Sequence, residues 1–323
     1  MAGIVSYGFY IPTYRIKTEE IAHIWGKNPD HIKESLKIEE KAVAGLDEDS
    51  VSMGYEACSM AISDIPLQKN TIKALFFGSE TPPYAVNPAS TILGEFLDIG
   101  HEYVASDTQF ACKAGTGAMI SALGLLSSGF TDYALVCAAD KATGKPHDAL
   151  EYTAGSGATA FLLGKENCLA HIVAYDSFSS DTPDFWRREG IRHPSHGGRF
   201  TGKPSYFFHI RSATQNLLKK TGMKPDDFAY GVFHMPNGKF PLEVGISLGF
   251  TSSQIEPSLV VTELGNSYTA SALMGLIAVL EKVKPGEKIF FASYGSGAGS
   301  DAFILEATAD IGSKRKGFRS FIQ

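Results

Sequence analysis

The 323-residue sequence predicts an α/β protein built from two copies of one topology. Three observations carry that expectation. Apolar runs typical of buried strands alternate with helical patterns along the whole chain. The second half matches the first at a constant offset of 154 positions. A hydrophobic content of 44% with 20% charged residues is enough to bury a sizeable core.

The elements follow in order. In the first half, "IKALFFGSE", "YALVCAAD" and "GATAFLLG" read as buried strands, and "SVSMGYEACSMAISDI" and "TGAMISALGLLSSG" as helices. In the second, "YGVFHMP", "KIFFASYGSG" and "SDAFILEA" are the strands and "TASALMGLIAVLEKV" is the helix. The 154-residue offset lays "FFGSETP" on "YGVFHMP", "FACKAGTGAMISALGLL" on "LGNSYTASALMGLIAVL" and "YALVCAAD" on "EKIFFASY" without a gap. After one contraction, "GATAFLLGK" falls on "GSDAFILEA". The predicted halves are residues 1–165 and 166–323, related by a pseudo-twofold. Residues 176–210 break the duplication with a polar, glycine-bearing and aromatic stretch, an inserted functional loop.

Composition narrows the function. A net charge of −6 provides no basic field for nucleic acid. The N-terminus has no basic lead followed by an apolar run, and no stretch nears 18 uninterrupted apolar residues, so neither a signal peptide nor a membrane span is expected and the cytoplasm is the expected location. Cys58, Cys112, Cys137 and Cys168 show neither CxxC spacing nor paired histidines, which predicts no zinc site and no disulfide framework. The 33 glycines gather at "GSE", "KAGTG", "AGSG" and "SYGSGAGSD", places where the chain turns sharply beside something else.

The offset superposes Glu80 on His234 and Cys112 on Asn266, all at strand ends or helix starts. Such positions meet at the junction between halves of an α/β fold, where ligands usually bind. Cys112 precedes a helix whose positive end lowers a thiol's pKa and whose amides can bind an oxyanion. Free cysteine is more often a small buried hydrophobe, asparagine at a helix start is often a cap, and strand-end histidines and turn glutamates are ordinarily solvent-satisfied; the set of four decides for chemistry. A thiol, an imidazole, an amide and a carboxylate suit acyl transfer with carbon–carbon bond formation. The thiol takes an acyl group from a thioester, the carboxylate removes an α proton, and the histidine protonates the new alkoxide or steadies the acceptor carbonyl. The backbone at Cys112 and at residues 293–297 would form the oxyanion hole.

"GSETPP", "FACKAGTGA", "VFHMPNGK", "GNSYTAS" and "SYGSGAGSD" occur in an order and spacing by which the chain resembles the thiolase superfamily, and within it the 3-hydroxy-3-methylglutaryl-CoA synthases, most of all their compact archaeal form. The resemblance covers nearly the whole chain and implies a thiolase fold. It implies that Cys112 is acetylated by acetyl-CoA, that Glu80 deprotonates the acetyl methyl, and that the carbanion adds to acetoacetyl-CoA with His234 as the acid near the ketone oxygen. Water then releases HMG-CoA, a step of the mevalonate route to isoprenoids. It further implies substrate-side roles for Asn266, for Ser296 through its amide, for Lys239 at the CoA entrance, and for Asp184, Phe185 and Ser205 as lining residues. No metal or redox cofactor is implied, since CoA is substrate and product. A homodimer or larger assembly is implied, as is a complex with an acetoacetyl-CoA thiolase through a zinc-bearing bridging protein of the DUF35 group.

Two other readings fit parts of the pattern. A type III ketoacyl synthase also uses Cys, His and Asn, but its carbanion arises by loss of CO2 and needs no carboxylate at the place of Glu80. A non-catalytic scaffold of the same fold has no physical need of a thiol and a carboxylate at one site. A thiolase proper is disfavoured because "SYGSGAG" lacks a second cysteine.

Overall fold

The computed structural model describes residues 1–63 and 65–322, with the Lys314 side chain left aside. Nine strands carry the fold: β1 (Gly3–Tyr10), β2 (Ile72–Gly78), β3 (Val104–Thr108), β4 (Tyr133–Lys141), β5 (Ser156–Gly164), β6 (Ala170–Thr182), β7 (Tyr230–Phe233), β8 (Lys288–Ala292) and β9 (Gly297–Ala307). Their order across the sheet is β7-β8-β9-β6-β1-β5-β4-β2-β3. Read outward from the centre, β1-β5-β4-β2 on one side is repeated by β6-β9-β8-β7 on the other. Each series is antiparallel until its last pair, which is parallel. The two series touch where β1 meets β6, over only Gly3↔His171 and Ile4↔Ala170.

Side-chain alternation on these strands sorts the core into layers, because successive residues face opposite sides of a sheet. Phe76 and Val136 point into one apolar cluster, whereas their neighbours Leu75, Phe77, Leu135 and Cys137 point into another. The first cluster lies at the centre and contains helices α1 (Ala114–Ser128) and α2 (Ser271–Leu280), together with Val232, Phe291 and Phe303 from the other strand series. Every residue of α2 is buried, which explains why its sequence is apolar on all sides. Outside the second series, helix α3 (Phe208–Thr221) places Ile210, Ala213 and Leu217 against Phe290 and Ile304.

The repeat is incomplete at one place, and one expectation needs correction. The offset sets "VASDT", which forms β3, over "SLVVT" at 258–262, yet that segment ends a 3-10 turn and starts a four-residue helix, Val261–Leu264. The amide of Glu39 donates to Thr262 O, so this piece serves the N-terminal antiparallel strand pair (Tyr14–Lys17 with Glu40–Val43) rather than a sheet edge. The insertion is also shorter than 176–210. Residues 176–182 continue β6, paired with β9 from Gly297 to Ala302, and residues 202–207 already form a π-helical turn leading into α3. The irregular segment is therefore 183–201. A two-residue hairpin, Phe185–Trp186 with Ser195–His196, lies within it.

Candidate active site

The turn that carries Cys112 is set by its neighbours. Ala111 has φ +42°, and the amides of Lys113 and Ala114 donate back to Phe110 and Ala111, so the chain doubles over two residues before α1 begins. At the matching place in the second half, Gly265 has φ +69° and Asn266 follows it. Lys113 locks the turn. Its ammonium lies 3.0 Å from Asp301 and 4.1 Å from the centre of the Phe110 ring. Thr116 and Ser177 also donate to Asp301, at 2.7 and 2.8 Å. The 293–299 loop presses on the same turn: a Cβ on Gly295 would stand 2.4 Å from Phe110 O, so only glycine fits there.

Glu80 follows β2 on a turn organised by one buried carboxylate, Asp140, at the end of β4. Asp140 Oδ1 accepts from Ser79 Oγ, the Glu80 amide, the Thr81 amide and Thr81 Oγ1 at 2.6–2.9 Å. Its Oδ2 accepts the Thr269 amide at 2.9 Å, and Thr269 Oγ1 accepts from the Gly115 amide at 2.9 Å, which ties the second half to the start of α1. On this platform the Cys112 thiol donates to Glu80 Oε1 at 3.2 Å. The two side chains predicted to act together are in direct contact.

The electrostatics revise the expected helix-start effect. Burial, and then the adjoining Glu80 carboxylate, push the Cys112 thiol well above the usual thiol range. Burial and then the charge of Asp140 raise Glu80 up to about 8, while the Cys112 hydrogen bond and Arg187 act the other way. The helix offers a partial charge two residues away; the carboxylate is a full charge at 3.2 Å. In the ionised pair a protonated thiol is hydrogen-bonded to a carboxylate of high proton affinity, and as pH falls below about 8 that pair gives way to one in which Glu80 also holds its proton.

His234, Asn266 and Ser296 line one cavity of about 410 Å3 with Cys112. His234 follows β7; its amide donates to Ala292 O, and its own carbonyl accepts Tyr206 OH at 2.6 Å. Burial lowers it to about 3, and its Nδ1 is buried with no partner among the described residues. The imidazole is neutral near pH 7, so a charged imidazolium acid is replaced by a neutral donor. Asn266 Oδ1 accepts the Tyr268 amide at 3.0 Å, which leaves its NH2 group for a ligand. Phe185 packs beside Cys112 and Tyr268 and lines this cavity and a second one of about 590 Å3, which Glu80 also faces.

The remaining candidates are placed differently. Asp184 is fully buried and lines neither cavity; it accepts Tyr294 OH at 2.6 Å and the Gly297 amide at 2.8 Å, and so holds the 293–297 loop. Ser205 is likewise behind the wall, donating to Phe200 O at 2.9 Å while its carbonyl accepts from His209 Nδ1. Lys239 is exposed at the start of helix α4 (Phe240–Ser247), 3.5 Å from Glu243 and next to the cavity-lining residues Asn237 and Phe240. Sequence reasoning passed over Asp140, Lys113, Asp301, Arg187 and the tyrosines 206 and 294. A carboxylate closing an otherwise apolar strand, as in "YALVCAAD", was the one readable signal, and it marked Asp140. Among the described residues, no group of three or more His, Cys, Asp or Glu is placed to hold a metal ion.

The chain is 49% identical over 315 residues to the hydroxymethylglutaryl-CoA synthase of Methanothermobacter thermautotrophicus, covering 98% of this chain and 91% of that protein. The chain belongs to the hydroxymethylglutaryl-CoA synthase family. The enzyme of the same name from Methanosarcina barkeri is 50% identical, with 96% of this chain and 89% of that protein covered. This makes the protein a condensing acyltransferase of the thiolase-like fold. The fold likeness extends to an HMG-CoA synthase crystallised with CoA, at TM-score 0.90 and 23% identity over 99% of this chain and 86% of that one. It also extends to 3-oxoacyl-[acyl-carrier-protein] synthase III from Aquifex aeolicus VF5, at TM-score 0.87 and 20% identity over 95% and 100%. Residues 218–307 match the family model for the C-terminal part of 3-oxoacyl-[acyl-carrier-protein (ACP)] synthase III.

Proposed function

We propose that this hydroxymethylglutaryl-CoA synthase works through an acetyl thioester on Cys112, with Glu80 as the proton carrier of every step. The contact of 3.2 Å between Cys112 Sγ and Glu80 Oε1 carries the reading. As the sulfur attacks the acetyl-CoA carbonyl, its proton passes to Glu80, and Glu80 returns it to the departing CoA thiolate. The carboxylate is then free to take a proton from the acetyl methyl, whose bond to Cys112 keeps it within reach. The carbanion adds to the ketone carbon of acetoacetyl-CoA while neutral His234 and the Asn266 amide hold that oxygen; His234 gives its proton to the new alkoxide and is reprotonated by the proton that Glu80 took from the methyl. The amides of Cys112 and Ser296 face the thioester oxygen. Hydrolysis frees HMG-CoA and the thiol.

Other residues support the reaction indirectly. Phe185 shields the thioester, Lys239 sits where the CoA arm enters, and Asp184 and Ser205 shape the wall from behind. Residues 1–165 and 166–323 act as two halves that each supply two of the four reacting groups, Glu80 with Cys112 and His234 with Asn266; the repeated strand order supports this division. A homodimer or larger assembly is supported by the short, partly exposed edge strand β3. A cytoplasmic complex with an acetoacetyl-CoA thiolase and a DUF35 bridging protein is supported by the resemblance to the archaeal form. No helix among the described residues is long and apolar enough to cross a membrane.

The test is product analysis by mass spectrometry after mixing the chain with acetyl-CoA and acetoacetyl-CoA, with malonyl-CoA in a parallel reaction. The expected result is HMG-CoA from the first mixture alone. A malonyl-dependent ketoacyl product would replace this reading with the type III one.

A further inference from the structure

Hydrolysis creates a charge that the site must accept. Water adds to the carbonyl carbon of the acyl group on Cys112, the C–S bond breaks, the sulfur takes one proton of the water, and the new carboxylic acid releases the other. A carboxylate then stands beside Glu80, itself acidic, in surroundings that disfavour negative charge. Without a cation to meet it, such a product is destabilised where it forms and the equilibrium on the enzyme lies toward the thioester.

The buried cation nearest in sequence is already engaged: Lys113 is committed to Asp301 at 3.0 Å. The 590 Å3 cavity that Glu80 faces has one cationic lining residue, Arg187, from the irregular insertion. Arg187 Nη2 donates to the carbonyl oxygen of Glu80 at 2.9 Å and Nη1 to Ile191 O at 3.5 Å. These are its two hydrogen bonds among the described residues, both to carbonyls, and no carboxylate pairs with it. The guanidinium, whose charge reaches Glu80 without forming an ion pair, keeps several N–H donors open and is held against the backbone of the residue that touches Cys112. Ser179, Ser180, Gln109 and the carboxylate of Asp181 make the rest of this cavity polar enough to admit water.

We propose that Arg187 binds the carboxylate that hydrolysis generates from the Cys112-bound acyl group, and that the cavity it lines is the side from which the hydrolytic water arrives. This rests on the reading that Cys112 carries the acyl group. Arg187 thereby favours the hydrolysed product over the condensed thioester, a role separate from its support of the Glu80 turn.

The test compares the binding of two ligands to the full chain by calorimetry: HMG-CoA, and 3-hydroxy-3-methylbutyryl-CoA, which has hydrogen in place of the carboxylate. The wild type is expected to prefer HMG-CoA by about tenfold or more, as charge-assisted hydrogen bonds imply. Arg187→Gln should erase that preference while binding the uncharged analogue within about twofold of wild type, and Arg187→Lys should restore part of it. With both substrates present, Arg187→Gln should also accumulate the condensed adduct on Cys112, read by intact mass. A wild type with no preference, a variant that keeps it, or an equal loss for both ligands would overturn the assignment. Equal loss would mean that Arg187 only supports the Glu80 turn. Acetylation of Cys112 by acetyl-CoA alone is scored separately, so failure of the thioester reading is told apart from failure of the Arg187 role.

Discussion

Lys113 and Asp301 form a buried ion pair at 3.0 Å, one residue from the nucleophile on one side and in the middle of β9 on the other. Both side chains are nearly sealed from solvent, at 7% and 1% exposure, and Asp301 collects Thr116 and Ser177 as well. The pair fastens the Cys112 turn to the strand that leaves the 293–297 loop. Nucleophile and proposed oxyanion hole are thereby set relative to one another by a contact between the two halves.

Removing one member of this pair leaves the other charged and buried, which costs about 3–5 kcal/mol. Lys113→Met and Asp301→Asn are each expected to lower the unfolding free energy by that order. The double variant Lys113→Met/Asp301→Asn should lose less than the sum. Chemical denaturation of the three variants measures the coupling, and strict additivity would show that the charges do not interact.

Glu80 gives two pH dependences of known sign. As a base it must be ionised, so condensation of a preformed acetyl-enzyme should rise with pH up to about 8 and then level. Its folded-state pKa lies above the unfolded value of about 4.5, so the folded chain holds the proton more tightly and the associated stability is lost as pH climbs from about 4.5 through about 8. Glu80→Gln removes the titration. The melting temperature of that variant relative to wild type should grow over this window and stay flat above it.

His234 should remain neutral throughout the working range, because burial holds it near 3. Side-chain 15N spectra between pH 5 and 8 are expected to show one unchanging neutral tautomer. His234→Ala should still acetylate Cys112 and lose about 10²–10³-fold in condensation, the scale of one oxyanion donor. An imidazolium signal near pH 6 would reinstate a charged acid.

The sequence made legible what local pattern determines. Glu80, Cys112, His234 and Asn266 each end a strand or precede a helix, and the 154-residue offset puts them at matching places, so their convergence followed from topology. The direction of the thiol's pKa did not follow. The helix start is local, but the carboxylate that overrides it approaches across 32 residues of chain. Asp184 and Ser205 sit in a segment without a repeat partner, and nothing in their neighbours tells a cavity wall from its support. Arg187 was hidden for the same reason: its meaning lies in one hydrogen bond to the backbone of Glu80, 107 positions away. That residues 258–262 do not repeat β3 is likewise tertiary, since they pack beside the N-terminal strand pair, which the second half does not repeat.

The most direct measurement is intact mass after acetyl-CoA alone is added to wild type, Cys112→Ala and Glu80→Ala. The account predicts one added acetyl group on the wild type, mapped to Cys112, and none on Cys112→Ala. Glu80→Ala should still acetylate, more slowly for want of the group that takes the thiol's proton, and then fail to condense when acetoacetyl-CoA follows. An acetyl group retained by Cys112→Ala would move the nucleophile elsewhere, and condensation by Glu80→Ala at near the wild-type rate would remove the carboxylate from the chemistry.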